Sequence, residues 1–112
     1  MIKLVTNQMV DCIQMVDSIP DNFTGIARFE NGIIGYYKNS LFHREDGPAY
    51  ITRSGYKTWW FEGKLHNLNG PAKIWPRGRE EYWIDNKYFS KENWEREVAR
   101  IKNPCKDVFV EV

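Results

Sequence analysis

Apolar residues in the central part of the chain come in short runs, each closed by Gly, Pro, Asn or Ser. Runs this short, rich in aromatic and β-branched residues, predict strands rather than helices. The runs also recur. HREDGPA (His43–Ala49) returns as HNLNGPA (His66–Ala72), and His43 and His66 are 23 positions apart, as are Gly47 and Gly70. Three passes follow at this period: GIARFENGIIGYYKNSLFHRED from Gly25, GPAYITRSGYKTWWFEGKLHNLN from Gly47, and GPAKIWPRGREEYWIDNKYFSKE from Gly70. The first pass is one residue shorter before its central glycine. Self-similarity at a fixed period marks stacked structural units. The third pass has Phe89 where a histidine is due, as a terminal unit often departs from its neighbours.

Each pass reads as a hairpin. A short strand leads to Asn31-Gly32, Ser54-Gly55 or Arg77-Gly78, and an aromatic-rich strand follows. Asn-Gly is a strong hairpin signal, with positive φ expected at both residues. In the connection, Gly47 and Gly70 are expected to supply free backbone angles, and Pro48 and Pro71 to fix φ. Asp46 is suited to accept backbone N–H groups across the turn. His43 and Arg44 are read as packing over a neighbouring strand or bonding its carbonyls, and His66 holds the equivalent place in the next unit. The expected fold is mainly β: an antiparallel meander of about six short strands in three hairpin units, with one C-terminal helix.

The pattern changes after Phe89. In KENWEREVARIK, Trp94, Val98 and Ile101 fall on one helical stripe, with acids early and bases late. Ser90 is the expected N-cap, Phe89 and Trp94 fit a hydrophobic staple, and Asn103-Pro104 ends a helix over residues 91–102. The chain divides as one domain: an N-terminal segment 1–21, repeats 22–89, the helix region 90–103 and a tail 104–112. In the first segment IKLV and MVDCIQMV read as strands. KDVFVEV, in the tail, suits an edge strand.

Alternation along a strand sends neighbours to opposite faces. One face is expected to carry Tyr36, Trp59, Phe61, Tyr82 and Ile84, the other Ile33, Tyr37, Tyr56, Trp60 and Trp83. One covering helix leaves aromatic surface exposed, and Trp and Tyr dominate binding hot spots. Tyr37, Tyr56, Trp60 and Trp83 are therefore candidate anchors, or Trp59 and Tyr82 if the other face is open. Self-association through these rings, as a homodimer, is the alternative, unless Lys and Arg stems cover them.

Composition narrows the classes. A chain of 112 residues suits one domain. Sixteen basic against fifteen acidic residues give a formal charge of +1, far from the excess of nucleic-acid binders. Lys57, Lys64, Lys73, Arg77 and Arg79 could still contact phosphate beside aromatic platforms. No apolar run spans a membrane and no signal-peptide pattern opens the chain, so a cytoplasmic location is expected. Cys12 and Cys105 lack metal-ligand spacing, and two histidines cannot complete a zinc set. No nucleophile elbow, phosphate loop or carboxylate pair appears. No catalytic residue, metal or cofactor is expected.

These units resemble MORN-type repeats, and more closely the variant with the pattern NG…WW.NGKLHR.DGPA found in small proteins of bacteria and tailed bacteriophages. Asn31-Gly32, Tyr36-Tyr37, His43–Ala49, Gly55, Trp59–His66, Asn69–Ala72 and Tyr82–Lys87 carry the likeness, which covers about residues 19–95. Departures are Ser40 and Asn86 in place of glycine and Asn67 in place of arginine. The resemblance implies scaffolding or protein binding rather than catalysis. It suggests a phage accessory protein that blocks a bacterial host or defence factor.

Overall fold

Two kinds of turn, used in alternation, build the molecule. The computed structural model describes residues 12–14 and 19–103. The wider turns lie at Phe29–Gly32, Thr52–Gly55 and Trp75–Gly78. In each, the glycine N–H donates to the carbonyl three residues back, at 3.0, 3.1 and 2.8 Å. The glycines have φ of 91°, 107° and 102°, while Asn31, Ser54 and Arg77 stay out of the left-handed region. The expectation of positive φ at both residues of Asn31-Gly32 is thus corrected. A type I turn with a glycine bulge confines positive φ to the glycine, and all three sequences can adopt it, including the one holding Pro76.

The turns with positive φ at both positions lie elsewhere. They are Asn39-Ser40 (51° and 68°), Glu62-Gly63 (48° and 84°) and Asp85-Asn86 (49° and 68°). These turns close two-residue hairpins whose twist matches that of the flanking strands.

The expected six strands become eleven among the described residues, in a mainly antiparallel arrangement with one C-terminal helix. They are β1 (Cys12–Gln14), β2 (Gly25–Arg28), β3 (Ile34–Lys38), β4 (Leu41–Phe42), β5 (Tyr50–Ile51), β6 (Lys57–Thr58), β7 (Trp60–Phe61), β8 (Lys64–Leu65), β9 (Lys73–Ile74), β10 (Glu80–Ile84) and β11 (Lys87–Phe89). The order is β1-β2-β3-β5-β6-β9-β10-β11, with β4 on β3 and β7-β8 as a separate pair. The larger number arises because the aromatic strands take several partners along their length, β3 pairing with β2, β4 and β5. The first half of β3 pairs with β5 (Ile34↔Ile51, Gly35↔Tyr50), and its second half pairs with β4 (Tyr37↔Phe42, Lys38↔Leu41). β6 and β7 split the same work around Trp59, and β10 divides between β9 and β11. β1 runs parallel to β2. The other strands read at the N-terminus and the edge strand read in the tail lie outside the described residues.

A second set of bonds locks the tight hairpins into a row. The N–H of the second turn residue donates to the preceding unit: Ser40 to Phe23 (2.7 Å), Gly63 to Phe42 (2.8 Å) and Asn86 to Leu65 (2.9 Å). The N–H of the first turn residue goes to a side chain: Glu62 to His43 Nδ1 (2.9 Å) and Asp85 to His66 Nδ1 (3.1 Å). Thr24 Oγ1 takes the N–H of Asn39 in the same manner, at 3.0 Å. Phe23-Thr24 therefore does for the first hairpin what Phe42-His43 and Leu65-His66 do for the next two. Ala27, Ala49 and Ala72 are fully buried at equivalent positions.

The helix α1 spans Lys91–Lys102, as its periodicity requires, and Ser90 accepts from the Asn93 N–H at 3.2 Å. Trp94, Val98 and Ile101 are its half-buried stripe. Trp94 packs on Tyr82, with ring centroids 4.8 Å apart, and its indole donates to the Asn67 carbonyl at 3.0 Å. The helix thus covers the last unit on the Tyr82 side of the sheet.

Candidate interaction surface

Register decides which rings meet. Gly35, Tyr50, Thr58, Lys73 and Glu81 oppose one another across β3, β5, β6, β9 and β10, so they share a face. Two residues on from Gly35, Thr58 and Glu81 lie Tyr37, Trp60 and Trp83, on the same face. Phe42, Leu65 and Tyr88 stand opposite those three rings.

The resulting row is continuous over its first half. Tyr37 stacks on Phe42 at 4.9 Å, and Phe42 reaches Trp60 at 5.3 Å and Tyr50 at 5.5 Å. Tyr50 meets Tyr56 at 6.2 Å, and Tyr56 meets Trp75 at 5.1 Å. Trp83 packs edge-on with Tyr88 at 5.6 Å, and Tyr88 is 58% exposed. The sequence reading placed Tyr37, Tyr56, Trp60 and Trp83 on this face but missed Phe42, Tyr50, Trp75 and Tyr88. Phe42, Leu65 and Tyr88 recur at the 23-residue period, a signal present in the sequence.

Two of the indoles are bonded to their own strands. Trp60 Nε1 donates to Thr58 Oγ1 at 2.7 Å, and Trp83 Nε1 donates to Glu81 Oε1 at 3.1 Å. Burial raises the Tyr37 phenol above its ordinary pKa, with a smaller push from Tyr50. Burial also raises the Tyr56 phenol, followed by the charges of Glu81 and Tyr50. Cations flank one end. Lys73 Nζ lies 5.1 Å from the Trp83 ring centre, and the Arg79 guanidinium lies 4.7 Å from that of Trp75. Glu81 holds both, at 4.0 Å from Lys73 and 2.8 Å from Arg79.

Trp59 and Tyr82 belong to the opposite face and do not join this row. Tyr36, their counterpart, lies under the Arg44 guanidinium at 3.9 Å, and Tyr82 lies against Trp94. Trp59 lines a groove of about 400 Å³ with Gly70, Pro71 and Ile74.

The repeated connection turns out to be a clamp between units. His43 accepts a backbone N–H and packs on Phe61 at 4.6 Å, and Phe61 faces His66 at 6.0 Å on its other side. Arg44 Nε donates to Asp46 at 3.0 Å and Arg44 Nη1 to the Pro48 carbonyl at 3.1 Å. Asp46 thus receives a side chain and not the expected backbone N–H. Asn67 stands where Arg44 does and donates to the Pro71 carbonyl at 2.8 Å. Gly47 and Gly70 do not have positive φ. A Cβ on Gly47 would sit 2.8 Å from Arg44 Cζ, so it is the missing side chain that matters there.

Among the described residues no group of three or more His, Cys, Asp or Glu side chains could hold a metal ion, and no helix is long and apolar enough to cross a membrane. No protein-family model, no curated protein and no solved structure matches the chain.

Proposed function

We propose that the protein is a non-catalytic protein-binding module whose aromatic row docks a partner. The observation that carries this reading is a row of partly buried rings, in which the Trp60 and Trp83 indole N–H groups are already bonded to their own sheet. Such rings offer apolar area with little polar desolvation on docking, and they are held rigid beforehand. Tyr37, Trp60 and Trp83 are the anchors. The histidines are occupied in holding units together, which leaves them a structural role. The resemblance to the MORN-type variant of bacteria and phages extends the reading to a phage accessory protein acting on a bacterial host or defence factor.

The test is affinity capture from bacterial lysate by the tagged protein, beside a Trp60→Ala/Trp83→Ala variant. A stoichiometric protein lost from a variant that keeps its far-ultraviolet circular dichroism is the expected result. Equal capture by both proteins overturns the reading. A second reading, stacking of single-stranded nucleic acid, has Lys73 and Arg79 beside Trp75 and Trp83 in its favour. It requires binding that weakens steeply with salt. Glu81 neutralises those cations in part, which favours a protein partner.

A further inference from the structure

The bonds between units leave one place where the pattern stops. In a two-residue hairpin the pair beside the turn is hydrogen-bonded, and the next pair points its backbone groups outward. Phe42, Leu65 and Tyr88 are those outward positions. The Phe42 carbonyl receives the Gly63 N–H at 2.8 Å. The Leu65 carbonyl receives the Asn86 N–H at 2.9 Å, and the Leu65 N–H donates to Asn86 Oδ1 at 2.9 Å. Phe23 makes the same two bonds with Ser40, at 2.7 and 3.0 Å. Among the described residues no further hairpin follows Tyr88. Tyr88 instead lines a groove of about 430 Å³ with Lys87, Asn93, Arg96, Glu97 and Arg100. That size is within the range of ligand sites.

The groove is cationic. Lys87, Arg96 and Arg100 face one carboxylate, Glu97, which Arg100 engages. Arg96 bonds a neutral group, Asn93 Oδ1, at 3.1 Å. We infer that the open edge at Tyr88 receives an acidic β-turn of a partner polypeptide, of the Asp/Glu-Asn or Asp/Glu-Gly kind. The molecule supplies the precedent. Two of the turns that dock on its own Phe42 and Leu65 are Glu62-Gly63 and Asp85-Asn86. An asparagine or serine in the second place makes both backbone contacts, as Asn86 and Ser40 do, and glycine makes one. A second copy of this chain does not fit, because its own tight turns among the described residues are each bonded to the preceding unit. The inference rests on the reading of the chain as a protein-binding module, but it names a different surface from the Trp60–Trp83 row.

The probe is a backbone-cyclised hairpin peptide with an Asp-Asn turn, titrated into the ¹⁵N-labelled full chain. The Tyr88 amide resonance should shift, with tighter binding than for an Asp-Gly turn. Lys87→Glu/Arg96→Glu should weaken binding by about tenfold or more. Tyr88→Pro should abolish it by removing an N–H that the β10–β11 pair does not use. Trp60→Ala, in the hairpin before Tyr88, should bind as the parent does, which separates this site from the aromatic row. An unmoved Tyr88 amide at about 1 mM peptide overturns the inference. So does equal binding of a Lys-Asn peptide, or a stronger response of the same amide to a short single-stranded oligonucleotide. If Tyr88→Pro does not fold, the charge-reversal variant decides.

Discussion

Gly35, Thr58 and Glu81 hold one position in successive units, and the ring two residues on explains each choice. Tyr37 lies over Gly35, and a Cβ there would come within 2.7 Å of Tyr37 Cε1. In the next unit Thr58 offers its hydroxyl to Trp60, and in the third Glu81 offers a carboxylate to Trp83. Position and ring are therefore a matched pair. Gly35→Ala should lift Tyr37 from its stack on Phe42 and cost about 1–3 kcal/mol, the range for overpacking. Gly35→Thr with Tyr37→Trp rebuilds the pair of the second unit and should recover most of that loss, a favourable coupling in a double-mutant cycle by urea denaturation. A free Gly35→Ala, or a double change no better than the sum of its parts, refutes the pairing. The histidines follow the same logic. His43 and His66 exist for the turn of the next unit, and Phe89 takes their place where no further unit follows.

The elements were legible where a local cause sets them. The α1 stripe, its acid-to-base order and Ser90 place the helix without reference to the rest of the chain, and it forms at the expected residues. Ser90→Ala removes one N-terminal acceptor and should cost about 1 kcal/mol in chemical denaturation. Trp94→Ala exposes Tyr82 and frees the Asn67 carbonyl, and should cost about 2 kcal/mol, less than for a fully buried tryptophan. A Trp94→Ala cost no larger than that of Ser90→Ala would mean that α1 does not cap the sheet. Turn chemistry misled where two turn types compete for one residue pair. Asn31-Gly32 carries the signal of a two-residue turn, yet Ser54 and Arg77 show that the position tolerates residues unsuited to positive φ. The true two-residue turns use Asn39-Ser40, Glu62-Gly63 and Asp85-Asn86, whose identity varies although their place does not. The aromatic row was half legible. Alternation sorted residues within a strand correctly, but Phe42, Tyr50 and Trp75 join the row through pairing between strands, which no single strand encodes.

At the scale of the whole molecule the bonds between units are nearly the same at each step. Tyr36 donates to the Ala49 carbonyl at 2.7 Å and Trp59 to that of Ala72 at 2.8 Å. Arg44 donates to Trp60 at 3.0 Å and Asn67 to Trp83 at 3.1 Å. Stability in such an array is a sum of unit and neighbour terms, so its length is set by the ends rather than by the units. Phe23, Thr24 and their bonds to Asn39 and Ser40 hold one end, and Trp94 covers the Tyr82 side of the other. A second copy of residues 47–69, inserted between Asn69 and Gly70, keeps the third unit as its following neighbour and adds one new junction, between the two copies. The inserted His66 Nδ1 would take the Asp85 N–H, and the original His66 would take that of the inserted Glu62. At the new junction the added unit lacks the Asn86-type side-chain bond, because Gly63 has no side chain to make it, and the Lys38–Glu62 ion pair, because Phe61 stands where Lys38 does. The longer chain should fold as one cooperative unit. Its urea m-value should rise by roughly a fifth, in proportion to 23 residues added to 112. Its midpoint should be no lower than that of the parent. A chain that aggregates, or that melts in two steps, would show that the ends fix more than length and that the units are not interchangeable.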